Sequence, residues 1–198
     1  MAVPPPSPEK SLLRRQLRAA RARFVQALEQ RGVRAESEAA AVARLREHVP
    51  AGATLALFRV IGDELSPGSL LQTIDRSDHI VALPHVAADR SGIRFLRWQP
   101  GDPLERGSLG IEQPIATAEP VTPQCIVTPL VGFDRAGGRL GQGAAYYDRA
   151  FATLPDAYRV GLAWSVQEHS RLPRDPWDVP LHAVATEQEW ISCPAGPA

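Results

Sequence analysis

The sequence predicts an α/β protein, a single three-layer domain in which a mostly parallel β-sheet has helices on both faces. From residue 54 onward, short apolar runs typical of strands alternate with segments of helical spacing, as they do in such a sheet. The length of 198 residues is within the range of one domain. The 22 basic and 22 acidic residues balance, which argues against a nucleic-acid binder driven by bulk charge.

The first predicted element is an amphipathic helix near the N-terminus. Ser7 serves as its N-cap, Pro8 takes the first helical position and Gly32 ends it. Its apolar residues recur every three or four positions and should dock on a core. They are Leu13, Leu17, Ala20, Phe24 and Leu28.

A basic stripe runs beside that apolar face at the same spacing. It consists of Lys10, Arg14, Arg18 and Arg21. For Arg18 and Arg21 we predict a solvated cationic flank. A second, alanine-rich helix is predicted over residues 37–47.

The middle of the chain changes to strand patterns. Strands are predicted at 54–61 and 80–83, with a short helix at 66–74 between them, and residues 93–98 alternate apolar and charged side chains as a half-exposed strand does. Residues 101–123 are rich in Gly and Pro and are predicted to form a long ordered loop. Such loops in compact domains often line functional sites.

The last third returns to alternating elements. It contains a predicted strand at 124–131, a glycine-rich turn, a helix ending near Leu154, and strands at 159–164 and 183–186. Ligands of parallel sheets bind beyond the carboxyl ends of strands. The glycine-rich turn lies at one such end and Glu64 just past another, so one crevice could collect both.

The glycine-rich segment 138–149 points most directly to chemistry. A glycine turn before a helix presents bare backbone N–H groups to an anion, and Arg139 adds a permanent cation. Asp148 is an oxygen ligand of the kind that Mg²⁺ prefers beside phosphates. Neither standard phosphate-loop pattern is present, so the residues alone leave two interpretations: an ATP site or an ordinary tight connection.

A longer motif surrounds the glycine-rich segment: Pro129-Leu130-Val131-Gly132-Phe133-Asp134 is followed by Gly138-Arg139-Leu140-Gly141 and Tyr146-Tyr147-Asp148. This motif resembles the signature of the 5-formyltetrahydrofolate cyclo-ligase family, also called 5,10-methenyltetrahydrofolate synthetases. Supporting stretches in the same order include Glu9-Lys10, Leu13-Arg14, Asp63-Glu64, Gly110-Ile111-Glu112-Gln113-Pro114, Leu172-Pro173, Asp178-Val179-Pro180 and Thr186-Glu187. The resemblance covers about residues 9–190.

This resemblance implies a fold of the NagB/RpiA/CoA-transferase kind and a ligase of one-carbon metabolism. Such an enzyme converts 5-formyltetrahydrofolate to 5,10-methenyltetrahydrofolate with ATP and Mg²⁺, releasing ADP and phosphate. We expect small-molecule substrates, no nucleic-acid or membrane partner, a monomer, and cytoplasmic residence. We also expect flexible tails at residues 1–8 and 193–198, the first of which lacks the apolar core of a signal peptide.

By the same resemblance, individual residues receive roles. The ATP-binding set is Lys10, Arg14, Arg139, Leu140, Gly141, Gln142, Gly143, Ala144, Ala145, Tyr146 and Tyr147, of which Lys10 and Arg139 are the catalytic candidates. Asp148 and Asp178 are the metal ligands, and Arg59 and Glu64 bind the folate substrate. Weaker candidates for the folate wall are Gln113 and Trp98, and His85 could line the crevice.

The chain departs from the family pattern at two positions. Ala145 stands where glycine usually precedes Tyr-Tyr-Asp; it is strained if that residue is left-handed and harmless if it is helical. His182 stands where a second aspartate usually follows Asp178.

Two other functions therefore remain open. One is a catalytically weakened relative that only binds nucleotide or folate. The other is an isomerase or CoA-transferase on a similar sheet with Glu64 as its acid, base or nucleophile.

Overall fold

A mostly parallel sheet of seven strands organises the molecule, as the sequence predicted. The computed structural model describes residues 7–74, 78–89, 92–107 and 110–194. Of the expected tails at 1–8 and 193–198, residues 1–6 and 195–198 lie outside the described residues. The strands within the described ranges are β1 (Thr54–Ala56), β2 (Ile80–Val86), β3 (Ile93–Arg97), β4 (Leu104–Arg106), β5 (Glu112–Pro114), β6 (Cys125–Pro129), β7 (Gly132–Phe133), β8 (Arg139–Leu140), β9 (Tyr158–Leu162), β10 (Ala183–Ala185) and β11 (Trp190–Ser192).

The main sheet has the strand order β11-β10-β9-β6-β1-β2-β3. The five inner strands pair in parallel, whereas β3 and β11 pair antiparallel at the two edges. Two small antiparallel hairpins, β4–β5 and β7–β8, stand apart from this sheet. The hairpins and the loops that follow the inner strands gather at one edge of the sheet.

Four α-helices cover the two faces of the sheet in the described residues: α1 (Pro8–Gln30), α2 (Arg34–His48), α3 (Gly68–Thr73) and α4 (Tyr146–Thr153). Neighbouring strand residues point to opposite faces. Accordingly Leu55 belongs to the core beneath α1, α2 and α3, whereas Ala56 belongs to the core beneath α4. This arrangement gives the three layers that the alternating pattern predicted.

The first helix begins as predicted, because the Ser7 hydroxyl oxygen accepts a hydrogen bond from the Lys10 backbone N–H. Its buried face differs from the predicted one. The buried residues are Lys10, Leu13, Leu17, Arg21, Val25 and Leu28. The solvated flank predicted for Arg21 is therefore wrong, whereas Arg18 is exposed.

Two other predicted segments need correction. The first strand ends at Ala56 rather than at residue 61. Leu57 and Phe58 are buried, but of the two only the Leu57 N–H still donates to a neighbouring strand, to the carbonyl oxygen of Ala82 in β2. The predicted loop 101–123 contains the hairpin β4–β5. The sequence also gave no indication of β11 or of the hairpin β7–β8, which precedes the turn into α4.

No helix in the described part of the chain is long and apolar enough to span a membrane.

Candidate active site

A cavity of about 470 Å³ lies at the carboxyl ends of β1, β2 and β6. Phe58 and Arg59 follow β1, Val86 ends β2 and Pro129 ends β6, and all four line it. Further parts of its wall come from α1, the segment 61–64, the β4–β5 hairpin, β8 with the turn 141–145, the start of α4 and the loop 175–178. Parallel sheets typically bind ligands at this edge.

All the residues assigned by resemblance line this one cavity. They are Lys10, Arg14, Arg59, Glu64, Arg139, Leu140, Gly141, Gln142, Gly143, Ala144, Ala145, Tyr146, Tyr147, Asp148 and Asp178. Of the weaker candidates, Gln113 lines the cavity too. Trp98 is instead part of the hydrophobic core, and His85 is buried beside Glu105 outside the lining.

Lys10 projects from the first turn of α1 into a pair of carboxylates. Its Nζ lies 2.6 Å from Oδ2 of Asp175 and 2.6 Å from Oδ2 of Asp178. The backbone N–H of Asp175 also donates to Asp178, which fixes the second carboxylate. Burial alone would lower the pKa of Lys10, but the hydrogen bonds to both aspartates outweigh it and raise that pKa. The side chain is therefore a fixed cation at neutral pH.

Arg14, one turn further along α1, lies against the turn 141–145. Its Nε donates to the carbonyl oxygen of Gly141 at 2.8 Å. A Cβ on Gly143 would meet the Arg14 guanidinium at 3.6 Å, and φ at Gly143 is +111°. That distance is an ordinary van der Waals contact, so glycine is favoured at this position by its backbone conformation and not by lack of space.

Arg139 forms the second buried cation of the wall. Its Nη2 lies 2.7 Å from Oδ2 of Asp148, and only 4% of its side chain is exposed. The guanidinium carbon is 5.7 Å from the ring centre of Tyr147 and 5.6 Å from that of Phe151. Among the described residues, the Arg139 Nε has no hydrogen-bond partner. Arg139 is thus oriented by packing and has an unused donor.

Tyr147 is engaged by this arrangement rather than free to stack on a ligand. It packs on Phe151 with ring centres 6.0 Å apart and on the Arg139 guanidinium. Burial raises the pKa of Tyr147 above its usual range, so the phenol stays neutral.

Ala145 has a left-handed backbone, with φ 51° and ψ 25°, immediately before α4. It is the one non-glycine residue with positive φ in the described ranges. The structure therefore selects the strained interpretation of this departure from the family pattern. Non-glycine residues in this region cost about 1–2 kcal/mol.

Glu64 also lines the cavity and is only 3% exposed. Its carboxylate accepts hydrogen bonds from the Ile61 N–H at 2.9 Å and from Gln142 Nε2 at 3.0 Å. The Arg21 Nη1 lies 4.0 Å away. Burial raises the pKa of Glu64, although these hydrogen bonds and the Arg21 charge oppose the shift.

Arg59 also lines the cavity and forms an ion pair with Glu112 of the β4–β5 hairpin. The hairpin is fixed by Gln113, whose side chain bonds both the N–H and the carbonyl of Val86, at 3.1 and 3.3 Å. A Cβ on Gly107 would lie 2.3 Å from the Gln113 side-chain oxygen and would displace it from its bonds with Val86. The hairpin is therefore a fixed wall of the cavity.

The two predicted metal ligands lie in separate ion pairs, Asp148 with Arg139 and Asp178 with Lys10. Within the residues that the structure describes, no group of three or more His, Cys, Asp or Glu side chains could hold a metal ion. Mg²⁺ that is bound mainly by phosphates needs only one or two carboxylates. Asp148 and Asp178 could ligate such an ion only after leaving their present cationic partners.

Sequence reasoning missed two charged residues of the site. Asp175 pairs with Lys10, as Asp178 does. The signal that could have found Asp175 was its position three residues before Asp178. Arg21 continues the buried stripe four residues after Leu17. The other departure, His182, lies outside the cavity lining; it accepts the Arg159 backbone N–H at 3.0 Å, and burial lowers its pKa.

The model of the 5-formyltetrahydrofolate cyclo-ligase family matches residues 6–187. The chain belongs to this family. A curated 5-formyltetrahydrofolate cyclo-ligase from Haemophilus influenzae is 33% identical over 137 residues, 66% of this chain and 73% of the relative. The corresponding protein from Escherichia coli is 34% identical over 151 residues, 69% and 81% of the two chains. The chain is accordingly a ligase of the cyclo-ligase family.

Solved structures agree with this assignment. The NMR structure of a 5,10-methenyltetrahydrofolate synthetase from Aquifex aeolicus has a TM-score of 0.78 at 28% identity and covers 96% of this chain and 95% of its own. A 5,10-methenyltetrahydrofolate synthetase from Mycoplasma pneumoniae has a TM-score of 0.65 at 25% identity, covering 90% and 99%. The mostly parallel sheet is thus shared with proteins of this family.

Proposed function

We propose that this cyclo-ligase uses ATP and Mg²⁺ to convert 5-formyltetrahydrofolate to 5,10-methenyltetrahydrofolate, releasing ADP and phosphate. The observation that carries the proposal is the single cavity. It brings buried cations, a glycine-rich turn and a buried carboxylate together in one lining. Both substrates can therefore meet in one space.

The reaction needs ATP because a formamide oxygen is a poor leaving group. In the proposed first step the formyl oxygen attacks the γ-phosphorus, the bond between that phosphorus and the β,γ-bridging oxygen breaks, and ADP leaves. Phosphoryl transfer depends on positioning and charge neutralisation more than on a protein nucleophile. Lys10 and Arg139 are the buried cations able to supply this, because they line the cavity and are already desolvated.

Binding of ATP would exchange the partners of these cations. In the structure Lys10 and Arg139 are neutralised by Asp178 and Asp148. Phosphate oxygens can replace those carboxylates, since each cation then keeps an anionic partner. The released Asp148 and Asp178 are the proposed Mg²⁺ ligands, and the ion would neutralise phosphate charge. Arg14 and the backbone of 141–145 complete the nucleotide subsite.

Glu64 is the proposed anchor of the folate. A carboxylate has acceptor capacity for several donors, and the pterin ring presents adjacent N–H groups. Arg59, which pairs with Glu112 on the hairpin, is the proposed second folate contact. Glu64 can hold the pterin at one end of the cavity while the formyl group points towards the phosphates.

Ring closure follows within the bound folate. N10 attacks the activated formyl carbon, its proton is lost, the carbon–oxygen bond breaks and phosphate leaves. The step is intramolecular, so holding N10 near the carbon can contribute up to about 7–11 kcal/mol. The fixed hairpin wall and the buried Glu64 are the groups that would restrict the folate.

A spectrophotometric assay tests the proposal. The purified protein is given 5-formyltetrahydrofolate with and without Mg²⁺-ATP, and methenyltetrahydrofolate and ADP are measured together. We expect product only with ATP, at one ADP per product. Product formed without ATP would refute the proposed mechanism. Absence of product from folded, ATP-binding protein would indicate a catalytically weakened member of the family. The strained backbone at Ala145 would then be the first feature to test as the cause.

A further inference from the structure

The side chain of Gln142 connects three parts of the cavity wall. Gln142 belongs to the turn 141–145, which precedes α4. Its Nε2 donates to Oε1 of Glu64 at 3.0 Å, and its own Oε1 accepts a hydrogen bond from Arg18 on α1. One amide thus joins the proposed nucleotide turn to the proposed folate anchor.

Gln142 occupies the place that a substrate donor needs. Glu64 is 3% exposed, and its other oxygen, Oε2, is held by the Ile61 N–H. The Gln142 amide N–H is chemically the same kind of donor as the amine and ring N–H groups of a pterin. Because so little of Glu64 is exposed, a pterin that approaches Oε1 meets this amide, although the carboxylate has lone pairs to spare.

Of the two partners, Gln142 is the more exposed. It is exposed, and so are its neighbours Gly143 and Ala144. Glu64 by contrast is fixed by Ile61 and lies 4.0 Å from Arg21. A ligand that reshapes the turn 141–145 would move Gln142 without moving Glu64.

We propose that Gln142 is a positioning residue that couples the two subsites: its amide covers Glu64 while the turn is empty and leaves it when a nucleotide fills the turn. This inference rests on the proposed function. Nucleotide then increases folate affinity, and folate increases nucleotide affinity by the same factor. The coupling follows from one hydrogen bond that the folate no longer has to displace.

Calorimetric titration measures this coupling. 5-Formyltetrahydrofolate is titrated into the protein with and without a non-hydrolysable ATP analogue and Mg²⁺. For the wild type we expect about tenfold tighter folate binding with the analogue, about the effect of one hydrogen bond to a charged group. In Gln142→Ala we expect folate to bind tightly without the analogue and the coupling factor to fall close to one.

Two further variants exclude simpler explanations. Gln142→Met keeps the side-chain length but removes both polar atoms, so it should behave like the alanine variant. Gln16→Ala removes an exposed glutamine of α1 that lies outside the cavity lining, and it should keep the wild-type coupling. A general loss of packing would not abolish coupling while strengthening folate binding.

The possible results separate this inference from the proposed function. Wild-type coupling that persists in Gln142→Ala and Gln142→Met overturns the inference alone, and so does a wild type that binds folate with no coupling. Equal weakening of folate binding in both states would make Gln142 a direct folate contact and also overturn it. A wild type that binds no folate in either state overturns the proposed function and the inference together.

Discussion

Replacing Ala145 with glycine is expected to stabilise the protein. Ala145 has φ 51° and ψ 25°, a left-handed conformation in which a Cβ costs about 1–2 kcal/mol. Glycine removes that strain but loses about 0.4–1 kcal/mol more backbone entropy on folding. The difference leaves a net stabilisation of about 1 kcal/mol for Ala145→Gly.

Thermal unfolding followed by circular dichroism measures this effect. For a chain of this size, about 1 kcal/mol corresponds to a rise of about 2–4 °C in Tm. Ala144→Gly is the matched control, because Ala144 is the exposed neighbour and does not have a positive φ. Its Tm should fall, since glycine there relieves no strain. A Tm for Ala145→Gly that falls as much as the control would refute the strain argument.

Three other substitutions test separate parts of the site. Glu64→Gln should weaken folate binding yet raise the free energy of unfolding at pH 7. Burial raises the pKa of Glu64, so the ionised carboxylate destabilises the folded state at that pH. The gain should vanish below the unfolded pKa of 4.5, which unfolding measured at pH 7 and pH 4 would show. Lys10→Met should lower the free energy of unfolding, measured in urea, by about 2 kcal/mol, because two aspartates lose their shared cation. An unchanged free energy of unfolding would contradict the buried ion-pair assignment. Gly138→Ala should lower Tm, because its Cβ would lie 2.4 Å from Asp134 Oδ2; an unchanged Tm would show that this contact relaxes freely.

The sequence predicted most of the inner sheet because each inner strand is an apolar run between turn residues. The prediction failed where buried hydrophobic residues do not take part in the hydrogen bonding of the sheet, or where strands are too short to show a pattern. Leu57 and Phe58 are as buried as strand residues, but they lie beyond Ala56, where β1 ends. The β4–β5 hairpin has three-residue strands whose pairing joins distant positions, so no local periodicity reveals it. The same is true of β11, an edge strand of three residues.

The candidate site was predictable where a residue type is unusual for its position. Arg139 and Asp148 were found from the glycine-rich segment, and the structure pairs them at 2.7 Å. Arg21 was missed because a basic stripe usually faces water, although its spacing from Leu17 places it on the buried face. Gln142 was assigned with the nucleotide turn, but its contact with Glu64 joins positions 78 residues apart and depends on tertiary packing.

The most direct test of the account compares two arginines in the ATP-dependent assay. Arg139 is buried in the cavity wall, whereas Arg135 is exposed, pairs with Glu168 and Glu189, and lies outside the lining. We expect Arg139→Ala to lose about 10²–10³-fold in kcat, as when a preorganised charge donor is removed, while remaining folded by circular dichroism. Arg135→Ala should keep the wild-type rate. Equal rates for the two variants would contradict the claim that this cavity carries out the reaction.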